Sequence, residues 1–469
     1  MAAEGTWRST QRAAGGGTHS GEGPAALEAL RSFRGHLYGC LARRADALFE
    51  LADTLVAGHA AATAPPPHLS LEPAFRRGWG STYGALSRGR IDEAAVRDLL
   101  AATRPAAWPA VFAVDASSWA RCDAETSPER GYYHHPSRHS AGQPIVAGWN
   151  YSWIAGLNWQ ADSWTAPLDV RRIHPTEDAG RVTADQVTAL VGRLGADGSV
   201  PLFVFDAGYD PIALSVDLAA TRAQILVRIR SDRVFFPDPE ARPAGTRGRP
   251  RRHGERFACA DPASWPAPDA ALRTTDARYG RVEVEAWSGL HPRLARRGRW
   301  TGDDGPPIVR GSVIRVAVEH LPKPTARAMK TLWLWWSGPG APDLDVCWRA
   351  YIHRFDIEHT LRFVKHTLGW TTPRVRLPEQ ADRWTWLVVA AYTQLRLARG
   401  LVADCRLPWE PPRDPGRLSP TRVRRGFRRL VHFLGTPARA PKPTKAGPGR
   451  PKGSLRGPAP RYPAIKKAA

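Results

Sequence analysis

Two short apolar runs in the chain end in a carboxylate. Val111-Phe112-Ala113-Val114 is followed by Asp115, and Leu202-Phe203-Val204-Phe205 by Asp206. Such runs read as buried strands carrying an acid at their C-terminal end. Alone, strand-terminal aspartates are most often loop or cap residues. A third feature changes their weight: Tyr351-x2-Arg354-x3-Glu358-x6-Lys365, with no gap. At 100° per residue these four fall within about 60° of one another, along roughly 21 Å of helix. A stripe holding a phenol, two cations and a carboxylate does not suit a core. It suits a surface that faces a phosphate backbone and a metal ion. The plainer alternative is a solvated face with Arg354 and Glu358 as an i,i+4 pair. The spacing, together with the two acid-ended strands upstream, outweighs it. Carboxylate oxygens hold hard divalent ions, and such ions activate an attacking oxygen and stabilise a leaving one at phosphorus. Three carboxylates gathered without metal repel one another, so partial protonation is expected.

The elements that must position these residues follow from periodicity. Residues 1–24 are Gly-rich and polar and read as a disordered leader. Residues 25–105 read as an α-helical N-terminal domain with a possible role in binding DNA ends. One helical pattern runs from Ser32 to about Val56, and a second helix starts at the good N-cap Asp92. Residues 106–231 alternate strand and helix, which predicts an α/β sheet covered by helices. The signals there are strands near Ile145–Ile154 and Trp164–Val170, a helix at Val182–Leu194 with Thr183 heading a capping box, a helix at Pro211–Ala220 and a strand at Ile225–Arg230. Residues 232–340 are rich in Pro, Gly and Arg and read as a mainly β insertion. Residues 341–405 hold one long helix from about Asp343 to Leu368 and another from Pro378 to about Leu401. Residues 406–469 read as a basic C-terminal region with a disordered tail.

Charge is unevenly placed. The 469 residues hold 67 Lys+Arg and 44 Asp+Glu, a net +23. Residues 411–469 contain 16 Lys or Arg and one acid, Asp414, so they supply +15 of it. A basic tail on a near-neutral body is the footprint of a polyanion binder. Arg249 and Arg450 each sit in a Gly-Arg-Pro step, and an extended Arg-Pro unit suits a narrow minor groove. The plainer reading of the tail is a solvated basic segment without base preference. No apolar run approaches the ~20 residues needed to cross a bilayer. The five cysteines are scattered singly, without a Cys-x2-Cys pair, which excludes a zinc ribbon and fits a reducing cytosol.

Taken together, the two acid-ended strands, the β insertion and the Tyr-Arg-Glu-Lys helix resemble the DDE transposases of bacterial insertion sequences, in the branch whose signature is Tyr-x2-Arg-x3-Glu-x6-Lys. Phe33-Arg34-Gly35-His36-Leu37-Tyr38, Asp206-Ala207-Gly208-Tyr209-Asp210 and Gly369-Trp370 look like members of that family too. The resemblance implies a ribonuclease-H-like mixed sheet flanked by helices. It makes Asp115, Asp206 and Glu358 the catalytic and metal-binding triad for two Mg²⁺ ions, with Mn²⁺ as a substitute. Asp123 lies near Asp115 but follows a turn-like stretch, so Asp115 is preferred. Tyr351, Arg354, Lys365, Arg249 and Arg450 become DNA or phosphate contacts. The implied activity is cleavage at element ends and strand transfer into target DNA, by a homodimer on double-stranded DNA. It is expected in the cytoplasm, associated with the nucleoid, with no membrane and no nucleotide cofactor. The alternatives are a ribonuclease-H-like nuclease that does not join, and a non-catalytic DNA-binding relic. Trp287, Trp333, Trp335 and Trp336 could receive an extruded base, though strand packing explains them better. His134, His135 and His139 read as a polar loop. There is no Gly-x4-Gly-Lys-Ser/Thr loop, no His-Glu-x2-His and no Gly-x-Ser-x-Gly.

Overall fold

A computed structural model describes residues 22–58, 65–135, 144–195, 198–241, 248, 250–301, 306–322, 330–443, 453 and 457–466. The N-terminal region is helical, as the periodicity predicts, but its first pattern is two helices. α1 (Glu22–Gly39) and α2 (Ala45–Ala57) are separated by β1 (Leu41–Arg43) and by Arg44, whose left-handed backbone (φ 57°) turns the chain. α3 (Pro66–Leu69), α4 (Gly80–Arg88), β2 (Arg90–Ile91) and α5 (Glu93–Thr103) follow. Asp92 caps α5, its carboxylate accepting from the Ala95 amide. Residues Ala47 to Ala57 of α2 are buried throughout. That burial includes Asp53, which Arg34 satisfies through contacts of 2.6 and 2.9 Å. An inner helix carrying an acid is tolerable only with such a partner.

The next elements are β3 (Val111–Ala120), β4 (Gly131–His134), β5 (Ile145–Gly156), β6 (Ala166–Ile173), α6 (Ala179–Leu194), β7 (Leu202–Phe205), α7 (Pro211–Asp217) and β8 (Gln224–Ile229). β3, β5 and β6 form an antiparallel meander, and β7 and β8 run parallel to β3. The helix α6 starts earlier than its sequence signal. Asp178, accepting from the Arg181 amide, is the cap, and Thr183 is a buried interior residue rather than the head of a capping box.

After the small ribbon β9 (Val234–Phe235) and β10 (Phe257–Ala258) come β11 (Ala270–Asp276), β12 (Gly280–Leu290), β13 (Gly311–Val318) and β14 (Thr331–Ser337). These strands are not a separate sheet. β14 pairs antiparallel with β8, from Trp333 opposite Ile229 to Ser337 opposite Ile225. The result is one ten-stranded mixed sheet in the order β11-β12-β13-β14-β8-β7-β3-β5-β4, with β6 also paired to β5. Then follow α8 (Leu344–His353), α9 (Phe355–His366), α10 (Pro378–Leu397) and α11 (Pro420–Leu434). Part of the C-terminal basic region is therefore helix, buried on one face through Val423 and Phe427. One apolar core runs from Leu48 of α2 through Phe112 and Val204 of the sheet to Leu387 of α10. This mixed sheet flanked by helices fits a ribonuclease-H-like fold. No helix of the described residues is long and apolar enough to cross a membrane.

Candidate active site

The parallel pairing of β3 with β7 sets the site. Val111, Phe112 and Ala113 stand opposite Leu202, Phe203 and Val204. Two residues beyond the last of these pairs come Asp115 and Asp206. Partners in a parallel register share a face, and alternate residues share it again, so both acids leave the sheet on one side. β3 continues past Asp115 to Ala120, so this acid lies within the strand and not at its end. Asp206 follows β7 directly, and its Oδ1 accepts from the Gly208 amide at 2.9 Å. Asp115 Oδ1 accepts from the Ala116 amide at 2.8 Å. Both acids are half-buried.

The third acid comes from α9, which packs on β3. The signature does not lie on one continuous helix. The chain breaks at Arg354, where α8 ends and α9 begins, and the Ile357 amide reaches back only three residues to the Arg354 carbonyl. The backbone at Arg354 stays in the right-handed helical region, and its guanidinium reaches both the Tyr351 ring at 5.9 Å and Glu358 at 2.8 Å. Tyr351 is 3% exposed and Arg354 4%, whereas the Glu358 side chain is 45% exposed. Lys365 is half-buried, its Nζ 5.7 Å from the centre of the Trp370 ring. Tyr351 packs edge-on to Phe355, and its buried hydroxyl has no hydrogen-bond partner among the described residues.

Arg354 is the cation of the cluster. One Nη donates to Glu358 Oε1 at 2.8 Å, while Nε and the other Nη have no partner among the described residues. Its guanidinium feels Tyr351, Asp115, Glu358 and Asp206, which together raise its pKa in spite of burial. Burial pushes the Asp115 carboxyl up to about 6. Arg354 opposes that shift, while Asp206 and Glu358 add to it. Asp206 and Glu358 are therefore both near enough to act on Asp115. Among the described residues, however, no three His, Cys, Asp or Glu side chains stand close enough to hold one ion. Three carboxylates are the right donor set for a hard divalent cation, with burial holding Asp115 toward its neutral form. Glu358 is turned to Arg354 instead of closing the cage.

Tyr209 escaped sequence reasoning. Its phenol is pushed up by burial and then by Asp115, with the Thr183 and Ser152 hydroxyls acting the other way and Asp206 adding to the rise. Its only sequence signal was its place in Asp206-Ala-Gly-Tyr-Asp210. The four tryptophans Trp287, Trp333, Trp335 and Trp336 are all buried. His134 is exposed on β4. Arg249, Arg450 and His139 lie outside the described residues.

The family model described as DDE superfamily endonuclease matches residues 36–293. That stretch carries Asp115 and Asp206 and stops before Glu358. No curated protein matches the chain. The matched residues make up more than half of the sequence and include the two acids that share a face of the sheet. The chain belongs to the DDE superfamily of endonucleases, enzymes that act on DNA.

Proposed function

We propose that this endonuclease is a transposase of the Tyr-Arg-Glu-Lys branch, which cleaves the ends of an insertion sequence and joins them to target DNA as a homodimer. The observation that carries the site assignment is the shared row of Asp115 and Asp206 on β3 and β7, with Glu358 brought over β3 by α9. These three residues would hold two Mg²⁺ ions, or Mn²⁺, which supply activation of the attacking oxygen and stabilisation of the leaving one. Asp115 lies within β3 and Asp206 directly follows β7. Glu358, paired with Arg354 here, would have to leave that pair to join such a site. Arg354, freed from that pair, is then available to a phosphate, which its planar fork suits. Lys365 adds a second cation on α9. In the first reaction water adds to phosphorus and the P–O3′ bond breaks, leaving a 3′-OH. In the second that 3′-OH attacks a target phosphodiester and displaces another 3′ oxygen.

Incubation with labelled end DNA, Mg²⁺ and a supercoiled plasmid tests the reading. Plasmid carrying both labelled ends is the expected product. Nicking without joining would make the protein a nuclease, the reading closest to the family description. Binding without nicking would make it a relic.

A further inference from the structure

The row that holds the two acids continues across the sheet. β7 pairs with β8 in parallel, with Phe203 opposite Ile225, Val204 opposite Leu226 and Phe205 opposite Val227. One step on, Asp206 is followed across the row by Arg228. Asp115, Asp206 and Arg228 therefore occupy one row of three adjacent strands and face the same side. On its far side Arg228 is paired with Leu334 of β14, so its backbone is fixed within the sheet.

Arg228 is exposed between the buried Val227 and Ile229. Three other arginines of this sheet are held close to acids: Arg315 to Glu285 at 2.7 Å, Arg172 to Glu129 at 2.6 Å and Arg171 to Glu177 at 2.9 Å. Among the described residues no hydrogen bond or ion pair ties the guanidinium of Arg228. An unpaired guanidinium on a rigid strand, one strand from an acid of the candidate site, is placed for bidentate capture of a phosphate.

We propose that Arg228 is a positioning residue that binds a backbone phosphate of the DNA strand lying across Asp115 and Asp206. The inference rests on the DNA-cleaving reading above and adds the direction of the strand, along the row from β3 toward β8. Arg230, two residues further along the chain and also exposed, adds a second cation in the strand direction, just past the end of β8.

The test uses the full chain, a fluorescent random-sequence duplex and a series of salt concentrations without divalent metal. Arg228→Gln should make the slope of log K against log salt shallower by about 0.9, the value of one phosphate contact. Arg228→Lys keeps the charge and should keep the slope. Arg273→Gln, an exposed arginine on the outermost strand β11, should leave it unchanged. A wild-type slope in Arg228→Gln, an equal loss in Arg228→Lys, or the same loss in Arg273→Gln would overturn the inference. Because the readout needs neither metal nor cleavage, a failure of transposition leaves it intact, and the reverse also holds.

Discussion

The two halves of the ten-stranded sheet use different sequence material for different ends. In the half built from β3, β7 and β8, apolar strands run into a polar row that begins with Asp115 and Asp206. In the half built from β11 to β14, the conspicuous residues are aromatic and turned inward. Trp287 and Trp333 pack with Phe257 and Trp265, and Trp335 stacks on Phe235 at 5.5 Å. Their polar atoms are also occupied: Trp335 Nε1 donates to Ser215 Oγ and Trp287 Nε1 to the Pro266 carbonyl. A tryptophan that is buried and hydrogen-bonded stiffens a sheet and offers no face to an extruded base. The polar row leaves its charges incompletely matched, which is how reactive sites are built. The two halves thus differ both in which residues they carry and in how far their polar groups are satisfied.

The largest expected effect breaks the polar half alone. Asp206→Ala or Glu358→Ala should lower nicking of end DNA on the order of 10³-fold or more, while end binding in a gel-shift assay stays within a few-fold. Full nicking in either variant removes that residue from the site. The next effect breaks the aromatic half. Trp335→Ala deletes a buried ring and its hydrogen bond and should cost about 3–5 kcal/mol in chemical denaturation. Because β14 is hydrogen-bonded to β8, fluorescence and circular dichroism should report one shared transition. Separate transitions would mean that the insertion strands fold as their own unit.

A smaller effect sharpens the contrast through pH. Asp115 sits at about 6 in the fold against 3.8 when unfolded, mainly because of burial. Its folded form keeps a proton that the unfolded chain releases, so metal-free stability falls as pH rises from about 4 to 6. At pH 7 the full penalty is at most about 3 kcal/mol, reduced by whatever water reaches this half-buried group. Asp115→Asn removes it. The variant should match the native protein at pH 4 and exceed it at pH 7, while losing cleavage. An Asn variant less stable at pH 7 than the native chain would mean that the carboxylate is already compensated.

These contrasts also show what was legible. Val111–Asp115 and Leu202–Asp206 announce themselves because central strands are apolar on both faces, so an acid closing an apolar run stands out, even though β3 continues past Asp115. In the insertion the runs Arg281–Trp287, Ile308–Val318 and Thr331–Trp336 were legible as strands and β11 was not; nor was the pairing of β14 with β8, because edge-to-edge hydrogen bonds leave no mark on side-chain type. The break at Arg354 was equally hidden. Ile352-His353-Arg354-Phe355 contains no Pro or Gly, so the sequence offers no stop signal, and an uninterrupted helix was the natural expectation. Beside that junction Tyr351 and Arg354 are buried, while the Glu358 side chain is 45% exposed. The N-terminal helices were read as a domain of their own. In the fold Arg34, which pairs with Asp53, also donates to Gln394 of α10 and to the Gly435 carbonyl.

The smallest effect concerns the tail, which differs from both halves of the sheet in having little to bury. Its end is nevertheless held. The Tyr462 amide donates to the Glu125 carbonyl at 2.7 Å and the Ile465 amide to the Arg130 carbonyl at 2.6 Å, beside β4. Earlier, Arg439 is fixed by its amide to Asp46. Deleting 444–469 leaves that second anchor in place and removes seven cations, Lys445, Arg450, Lys452, Arg456, Arg461, Lys466 and Lys467. Each one that touches a phosphate contributes about 0.9 to the salt slope, and counterion release favours binding most when salt is dilute. The truncated protein should therefore bind a duplex more weakly at low salt, converge on the full chain at high salt, and unfold at nearly the same denaturant concentration. Parallel binding lines for the two proteins would mean that these cations stay solvated, and the polyanion contact would then rest on the folded body, where Arg228 is already placed for it.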